Sequence, residues 1–275
     1  MPTDHLPPTS EPSGVTCRLC GHPARTAFKG RVLGRYDVTY AVCGHCGSLQ
    51  TERPYWLEES YAGGNLATLD TGAGQRVLNN WALTLFTARI LGARRLLDFG
   101  GGDGLLCRLL RDSGLDAWTT DRFAKATYGI GFQQEPAGPV DLLTAFEVVE
   151  HLANPEADLP GLLATAPQAF LGTTCFYTGQ GADWWYLTPE TGQHVFFYSP
   201  KGLEIIAERF GYSVFYQKDM FLFTRTPLTA WQRLRLRLLF NPRSLKLLRC
   251  LIPLLPTPGI QSDLMTARQV IDSRS

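Results

Sequence analysis

Three groups of residues in this chain have the types and spacing that chemistry needs. Asp98-Phe99-Gly100-Gly101-Gly102-Asp103-Gly104 sets two acids around a run of glycines, and Asp121 follows. Phe146-Glu147-Val148-Val149-Glu150-His151-Leu152 gathers carboxylates and an imidazole, with His194 further on in an aromatic stretch. Cys17-Arg18-Leu19-Cys20 and Cys43-Gly44-His45-Cys46 are two C-x-x-C pairs. The first group suits a nucleotide-like cofactor, the second the reacting end of such a site, and the third a metal.

The elements that must position these groups can be read around them. Leu96-Leu97-Asp98 ends a buried strand, the glycines form a turn, and Leu105-Leu106-Cys107-Arg108-Leu109-Leu110 restarts at helical spacing. Strand, glycine turn and helix open the cofactor half of a doubly wound α/β sheet. The charge of the turn selects the cofactor. A dinucleotide loop offers bare amides to an anionic pyrophosphate, whereas Asp98 and Asp103 would repel it. The dinucleotide pattern also fails, because Leu105 stands at its last glycine. A ligand with an ammonium, a sulfonium and one carboxylate suits two acids better. Asp121 comes about 20 residues later, at the end of a second strand, where an acid takes the hydroxyls of a ribose. The turn therefore points to S-adenosylmethionine.

Asp98-x-Gly100-x-Gly102-x-Gly104, then Asp121, then Phe146 to Leu152, in that order, resembles the class I S-adenosylmethionine-dependent methyltransferases. The similarity runs from Val77 to Thr226. It implies a Rossmann-like sheet of seven strands. It places Asp98, Phe99, Gly100, Gly102 and Gly104 around the cofactor's methionine part and Asp121 on its ribose. Phe146 and Glu147 lie near the methionine end. Arg122 either covers the adenine or faces solvent, and Gln133, Gln134 and Glu135 occupy the region of the adenine-binding acid. His151 either orients its loop or takes a proton. His194 either accepts a proton from the acceptor or shapes its loop by bonding to backbone. Trp184, Trp185 and Tyr186 form either a substrate floor or lid packing.

The paired C-x-x-C knuckles, each followed by glycine and about twenty residues apart, read as a zinc ribbon. Cys17, Cys20, Cys43 and Cys46 would close a tetrahedral, structural zinc site with no open position. A redox role is the competing reading. His22 and His45 either face solvent or replace a ligand. A zinc module ahead of this domain resembles the sugar C-methyltransferases of glycan and secondary-metabolite pathways, and is also similar to a ribosomal-RNA guanine methyltransferase group with a different knuckle.

The organisation follows. Residues 1–14 are rich in proline and polar residues and are expected to be disordered. Residues 15–52 are the zinc ribbon, 53–74 a connector with glycines at 63, 64, 72 and 74, 75–226 the methyltransferase domain, and 227–275 a basic amphipathic tail. Tyr55, Trp56 and Tyr61 either pack the ribbon on the domain or line the cofactor's mouth. Between Gln75 and Leu91, Val77, Leu78, Trp81, Leu85 and Ala88 share one helical stripe, while Leu83, Phe86 and Ile90 call for a second covered side. A helix is expected over Arg122 to Tyr128 and a third strand over Gly129 to Phe132. Strands follow at Val140 to Phe146 and Ala169 to Cys175, a helix at Pro200 to Phe210, and an antiparallel pair at Tyr212 to Tyr216 and Phe221 to Thr226.

A formal net charge of +1 argues against a dedicated nucleic-acid binder. No apolar run approaches the ~18 residues of a membrane span, and Met1 to Pro8 lack a signal peptide's apolar core. Seven cysteines, four of them in knuckles, suit a reducing compartment, so a cytoplasmic location is expected. In the tail, Trp231, Leu234, Leu238 and Leu247 alternate with Arg233, Arg235, Arg237, Lys246 and Arg249. Such a segment either lies on an anionic membrane surface or packs on protein. The expected function is methyl transfer to a small-molecule or glycan acceptor. The alternatives are an RNA methyltransferase gripping nucleic acid through Arg18, Arg25, Lys29, Arg31 and Arg35 of the ribbon, and a non-catalytic binding protein of the same fold.

Overall fold

The computed structural model describes residues 14–62, 71–165 and 167–272. The expected disorder of residues 1–14 and the connector glycines 63 and 64 thus fall, apart from Gly14, outside the described residues.

The chain opens with β1 (Val15–Thr16), β2 (Pro23–Val32), β3 (Tyr36–Cys43) and β4 (Leu49–Thr51), an antiparallel sheet in that order. Helices α1 (Leu57–Ala62) and α2 (Ala73–Leu91) follow. Next come β5 (Arg95–Phe99), α3 (Leu105–Asp112), β6 (Asp116–Thr120), β7 (Leu142–Phe146), α4 (Pro155–Leu162) and β8 (Ala169–Thr173). The chain continues through β9 (Phe196–Phe197), α5 (Pro200–Arg209), β10 (Ser213–Gln217) and β11 (Met220–Thr224). It ends in α6 (Ala230–Leu239), α7 (Pro242–Leu251) and α8 (Gly259–Asp272).

The main sheet runs β10-β11-β8-β7-β5-β6. β6, β5, β7 and β8 are parallel, and β11 and β10 close it antiparallel. Leu142, Leu143, Thr144 and Ala145 are all buried, as expected of a parallel strand covered on both faces. Helix α5 starts where the sequence places it: Ser199 Oγ accepts from Gly202 N at 2.9 Å, and Pro200 fills the first turn.

Two expected elements are absent, and with them the seventh strand: among the described residues the sheet has six. Phe132 O accepts from Thr119 N at 2.9 Å, so the segment does run beside β6. Gly129 (φ 63°) and Gly131 (φ 92°) hold left-handed backbone, however, and no ladder propagates. The expected helix over Arg122 to Tyr128 does not form either. Asp121 Oδ1 accepts from Phe123 N and Ala124 N, as a helix cap would, but the amides of Thr127 and Tyr128 turn to Asp103 O instead of an earlier helical carbonyl.

The N-terminal sheet does not end with β4. β9 pairs antiparallel with it, Leu49 opposite Phe197 and Gln50 opposite Phe196, so a strand next to the main domain completes that sheet. Arg18, within the first knuckle, reinforces this union by donating to Ala153 O (2.7 Å), Val195 O (2.7 Å) and Thr51 O (3.0 Å). The tail folds back as three helices. α6 and α7 cover α2, burying Leu236, Leu239, Phe240 and Leu245 in the same core as Leu83 and Leu85. They supply the second covered side of α2, although Leu78, assigned to the buried stripe, is 40% exposed. Asp263 of α8 is buried and paired with Arg111 (2.6 Å) and Arg108 (2.8 Å) of α3. No helix among the described residues is long and apolar enough to cross a membrane.

Candidate functional site

The strand order reverses between β5 and β7, which is where open α/β sheets bind ligands, beyond the carboxyl ends of their strands. The glycine turn after β5 lies at that edge. Gly100 N and Gly101 N both donate to Thr120 O, and Gly102 N donates to Asp121 Oδ2 at 2.9 Å. Turn and second acid are therefore one hydrogen-bonded unit. Three glycines are sterically required: a side chain at Gly100 (φ 70°) would stand 2.6 Å from Val148 Cγ2. A side chain at Gly104 (φ 81°) would stand 2.5 Å from Tyr128 O, and one at Gly101 would collide with Asp98 Oδ2 and Thr119 Oγ1.

Asp98 sits beneath this turn. Its Oδ1 accepts from Thr144 Oγ1 at 2.8 Å, while Oδ2 is buried without a partner among the described residues. Burial pushes its carboxyl up to about 7, against the hydrogen bond from Thr144, which lowers it. Asp121 instead borders open space. With Gly102, Thr119, Ala124, Lys125 and Gln133 it lines a cavity of about 240 Å³. Asp121 Oδ1 takes both Phe123 N and Ala124 N, whereas Oδ2 takes only Gly102 N and keeps a lone pair for a ligand hydroxyl. A buried unpaired carboxylate oxygen below the turn and an acid in the cavity wall fit a cationic nucleoside. Phe99 and Phe146 are half-buried and pack into the two cores on either side of the sheet. Arg122 is exposed and lies 5.5 Å from the Phe123 ring centre rather than in the cavity wall. Of the residues in the adenine region, Gln133 reaches the cavity.

A second constellation lies at the end of β7. Tyr186, buried, directs its hydroxyl to Glu147 Oε2 at 2.9 Å and to Glu150 Oε1. Glu150 is wholly buried, and burial, followed by the charge of Glu147, raises its carboxyl well above the usual range. Glu147 stands in left-handed backbone (φ 54°), uncommon for a residue with a side chain. His194 Nδ1 lies 2.7 Å from Tyr186 O. A carbonyl only accepts, so Nδ1 carries the proton and Nε2 keeps its lone pair. The ring centres of His151 and His194 are 4.9 Å apart. Burial lowers both imidazoles, His151 to about 3, so both are neutral.

The sequence brings Glu147, His151 and His194 into view but gives no sign of Tyr186 as their link. Its aromatic neighbours Trp184 and Trp185 both contact its ring, at 5.4 and 5.3 Å; Trp184 also packs on Tyr177 and Phe197, while Trp185 is 71% exposed. The connector aromatics divide as well. Trp56 is buried and Tyr55 exposed. Tyr61 stacks on Phe123 at 4.0 Å, with its hydroxyl 3.3 Å from His151 Nδ1, joining the connector to the segment after β6.

At the ribbon, the sulfurs of Cys17, Cys20, Cys43 and Cys46 all lie within 4.8 Å of one another. Cys17 to Cys46 is 3.7 Å and Cys20 to Cys43 is 3.5 Å. A tetrahedron with zinc–sulfur bonds of ~2.3 Å has edges of ~3.8 Å, so the donor set fits zinc. His45 N and Cys46 N both point at Cys43 Sγ at 3.4 Å. The Cys46 thiol is pushed down to about 5, chiefly by hydrogen bonding to Cys17. His22 and His45 are exposed and stack on each other at 3.9 Å.

Comparison with known proteins adds three findings. A family model described as a methyltransferase domain matches residues 70–217, over half of the chain. No curated protein matches the sequence. Among solved structures, magnesium protoporphyrin IX methyltransferase from Synechocystis PCC 6803 is 18% identical, with a TM-score of 0.43 over 63% of this chain and 98% of that one. An O-methyltransferase family protein from Burkholderia thailandensis is 13% identical, with a TM-score of 0.45 over 62% of this chain and 63% of that one. A mitomycin 7-O-methyltransferase is 16% identical, with a TM-score of 0.40 over 62% of this chain and 66% of that one.

Proposed function

We propose that this chain, which belongs to the methyltransferase-domain family, transfers a methyl group from S-adenosylmethionine to a small-molecule or glycan acceptor. The observation that carries the cofactor assignment is Asp121, an acid in the wall of the cavity and hydrogen-bonded to the glycine turn, with a second acid, Asp98, below it. When bound, the cofactor supplies an electrophilic methyl group on a sulfonium.

The chain's own residues do the rest. Asp121 takes a ribose hydroxyl through Oδ2, and Gln133 and Lys125 border the nucleoside. Asp98 and the turn, together with Phe99, Phe146 and Glu147, enclose the methionine part. Glu147 presents its carboxylate from a fixed, strained backbone and is held by Tyr186. His194, with Nε2 free, is placed to take the acceptor's proton. His151 holds the loop against Tyr61. Cys17, Cys20, Cys43 and Cys46 hold a structural zinc that closes the ribbon.

Three of the five basic side chains named for RNA are engaged within the chain, which weighs against that reading. Arg18 is spent on internal carbonyls, and Arg35 and Arg31 pair with Glu59 and Asp37. Peripheral membrane contact has support from the tail, where Trp231, Leu234 and Leu238 are exposed on α6 beside Arg235. Flotation with anionic vesicles tests it: a W231A/L238A variant should stay in the soluble fraction while the parent chain floats.

The function is tested by offering the chain S-adenosylmethionine labelled on its methyl group with two acceptor panels, hydroxylated small molecules and structured RNA. Label is expected in the first panel. Label only in RNA would favour the alternative substrate, and binding without transfer to any acceptor would favour a binding protein.

A further inference from the structure

We propose that Glu150, His151 and His194 bind one divalent transition-metal cation, separate from the four-cysteine site, and that this cation holds a hydroxyl oxygen of the acceptor. The ion site stands on geometry alone. Only the acceptor assignment rests on the methyl-transfer reading above.

One carboxylate oxygen of Glu150 and one ring nitrogen each of His151 and His194 lie within 4.8 Å of one another. Two imidazoles and one carboxylate are a donor set for divalent first-row metals that leaves coordination positions open. Glu150 provides a second, independent observation. It has no exposed surface, and its Oε2 has no hydrogen-bond partner among the described residues. An oxygen left so in the interior is costly unless something pairs with it. A cation between the imidazoles would do so.

The surrounding contacts have the form of an outer shell that orients ligands. Metal-binding histidines commonly donate their other ring N–H to a carbonyl, as His194 Nδ1 does to Tyr186 O. The Tyr186 hydroxyl fixes the other oxygen of Glu150. The backbone is pinned as well, by Val195 N to Glu150 O at 3.0 Å and His151 N to Val148 O at 3.0 Å. The other mixed group, Cys20, His22 and His45, is different in kind, since both of its histidines are exposed and Cys20 belongs to the sulfur site.

His151, His194 and Glu147 are half-buried, whereas Glu150 is enclosed, so the open positions of the ion face the crevice. They suit an acceptor hydroxyl, and two adjacent hydroxyls would chelate. A cation lowers the pKa of an oxygen it binds. In the loaded enzyme His194 is a ligand, and this acidification replaces proton uptake by its ring. The hydroxyl proton passes to water, the new O–C bond forms as the C–S bond breaks, and sulfur keeps that electron pair.

The test titrates Mn²⁺, followed by electron paramagnetic resonance, into the full chain holding one equivalent of zinc, at its four cysteines, without cofactor. One Mn²⁺ per chain is expected, with pulsed spectra showing coupling to imidazole nitrogen. E150Q and H194A should weaken binding about tenfold or more, and H22A should not. No uptake by the parent chain, uptake without nitrogen coupling, uptake unchanged in E150Q and H194A, or uptake lost in H22A would each overturn the site. The spectrum of the parent chain decides the matter even if a variant fails to fold. Mn²⁺ bound by a chain that ignores S-adenosylmethionine would overturn the acceptor assignment and uphold the ion site.

Discussion

Asp121 Oδ2 accepts a hydrogen bond from Gly102 N at 2.9 Å, so the acid that closes β6 also fixes the turn that follows β5. Replacing it with alanine removes a ligand group and a clasp together. Hydrogen bonds to charged groups contribute about 1.5–3 kcal/mol each. Asp121→Ala should therefore weaken S-adenosylhomocysteine binding roughly ten- to hundredfold by that measure, and lower the melting temperature modestly. Calorimetric titration beside a melt checks both, and unchanged affinity would remove Asp121 from the ribose.

Gly101→Ala tests the turn from above. The new Cβ must displace both Asp98 Oδ2 and Thr119 Oγ1, and overpacking of this kind costs about 1–3 kcal/mol. A drop in denaturation midpoint together with loss of cofactor affinity is expected. Wild-type affinity would show that the turn relaxes freely.

Asp98 gives the apo chain a pH signature. Its carboxyl is raised by burial from the usual 3.8 to about 7. The folded chain thus keeps a proton that the unfolded chain has lost, and stability falls as pH rises from about 4 to 7, then levels. The difference amounts to up to about 4 kcal/mol. Denaturation of wild type and Asp98→Asn across this range should show the slope in wild type and a smaller one in the variant. Binding of a cationic cofactor favours the ionised acid, so affinity should rise with pH up to about 7 and be flat in Asp98→Asn.

Cys43→Ser should release zinc and also lower the stability of the main domain, because β4 pairs with β9 and Arg18 reaches Ala153 and Val195. Metal analysis and thermal unfolding check the two effects. One zinc per chain in the variant would contradict the ligand assignment.

The glycine turn, Asp121 and the paired knuckles are legible in the sequence because each depends on residues close together in the chain. What escapes depends on distant partners. Asp121 offers Phe123 and Ala124 the start of a helix, yet Asp103 O captures Thr127 and Tyr128. Gly129 and Gly131 permit the left-handed turns that replace the third strand. Tyr186 becomes the link between Glu147 and Glu150 only once the segment after β8 folds over the end of β7. The basic tail conceals one acid that matters: Asp263 docks α8 through Arg108 and Arg111.

The methyl-transfer function turns on which ligand the acid-flanked glycine turn accepts, and titration of the purified zinc-loaded chain with S-adenosylmethionine measures that directly. Saturable binding of one cofactor per chain, with no heat from NAD under the same conditions, is the predicted result. Saturation by NAD with indifference to S-adenosylmethionine would contradict the account.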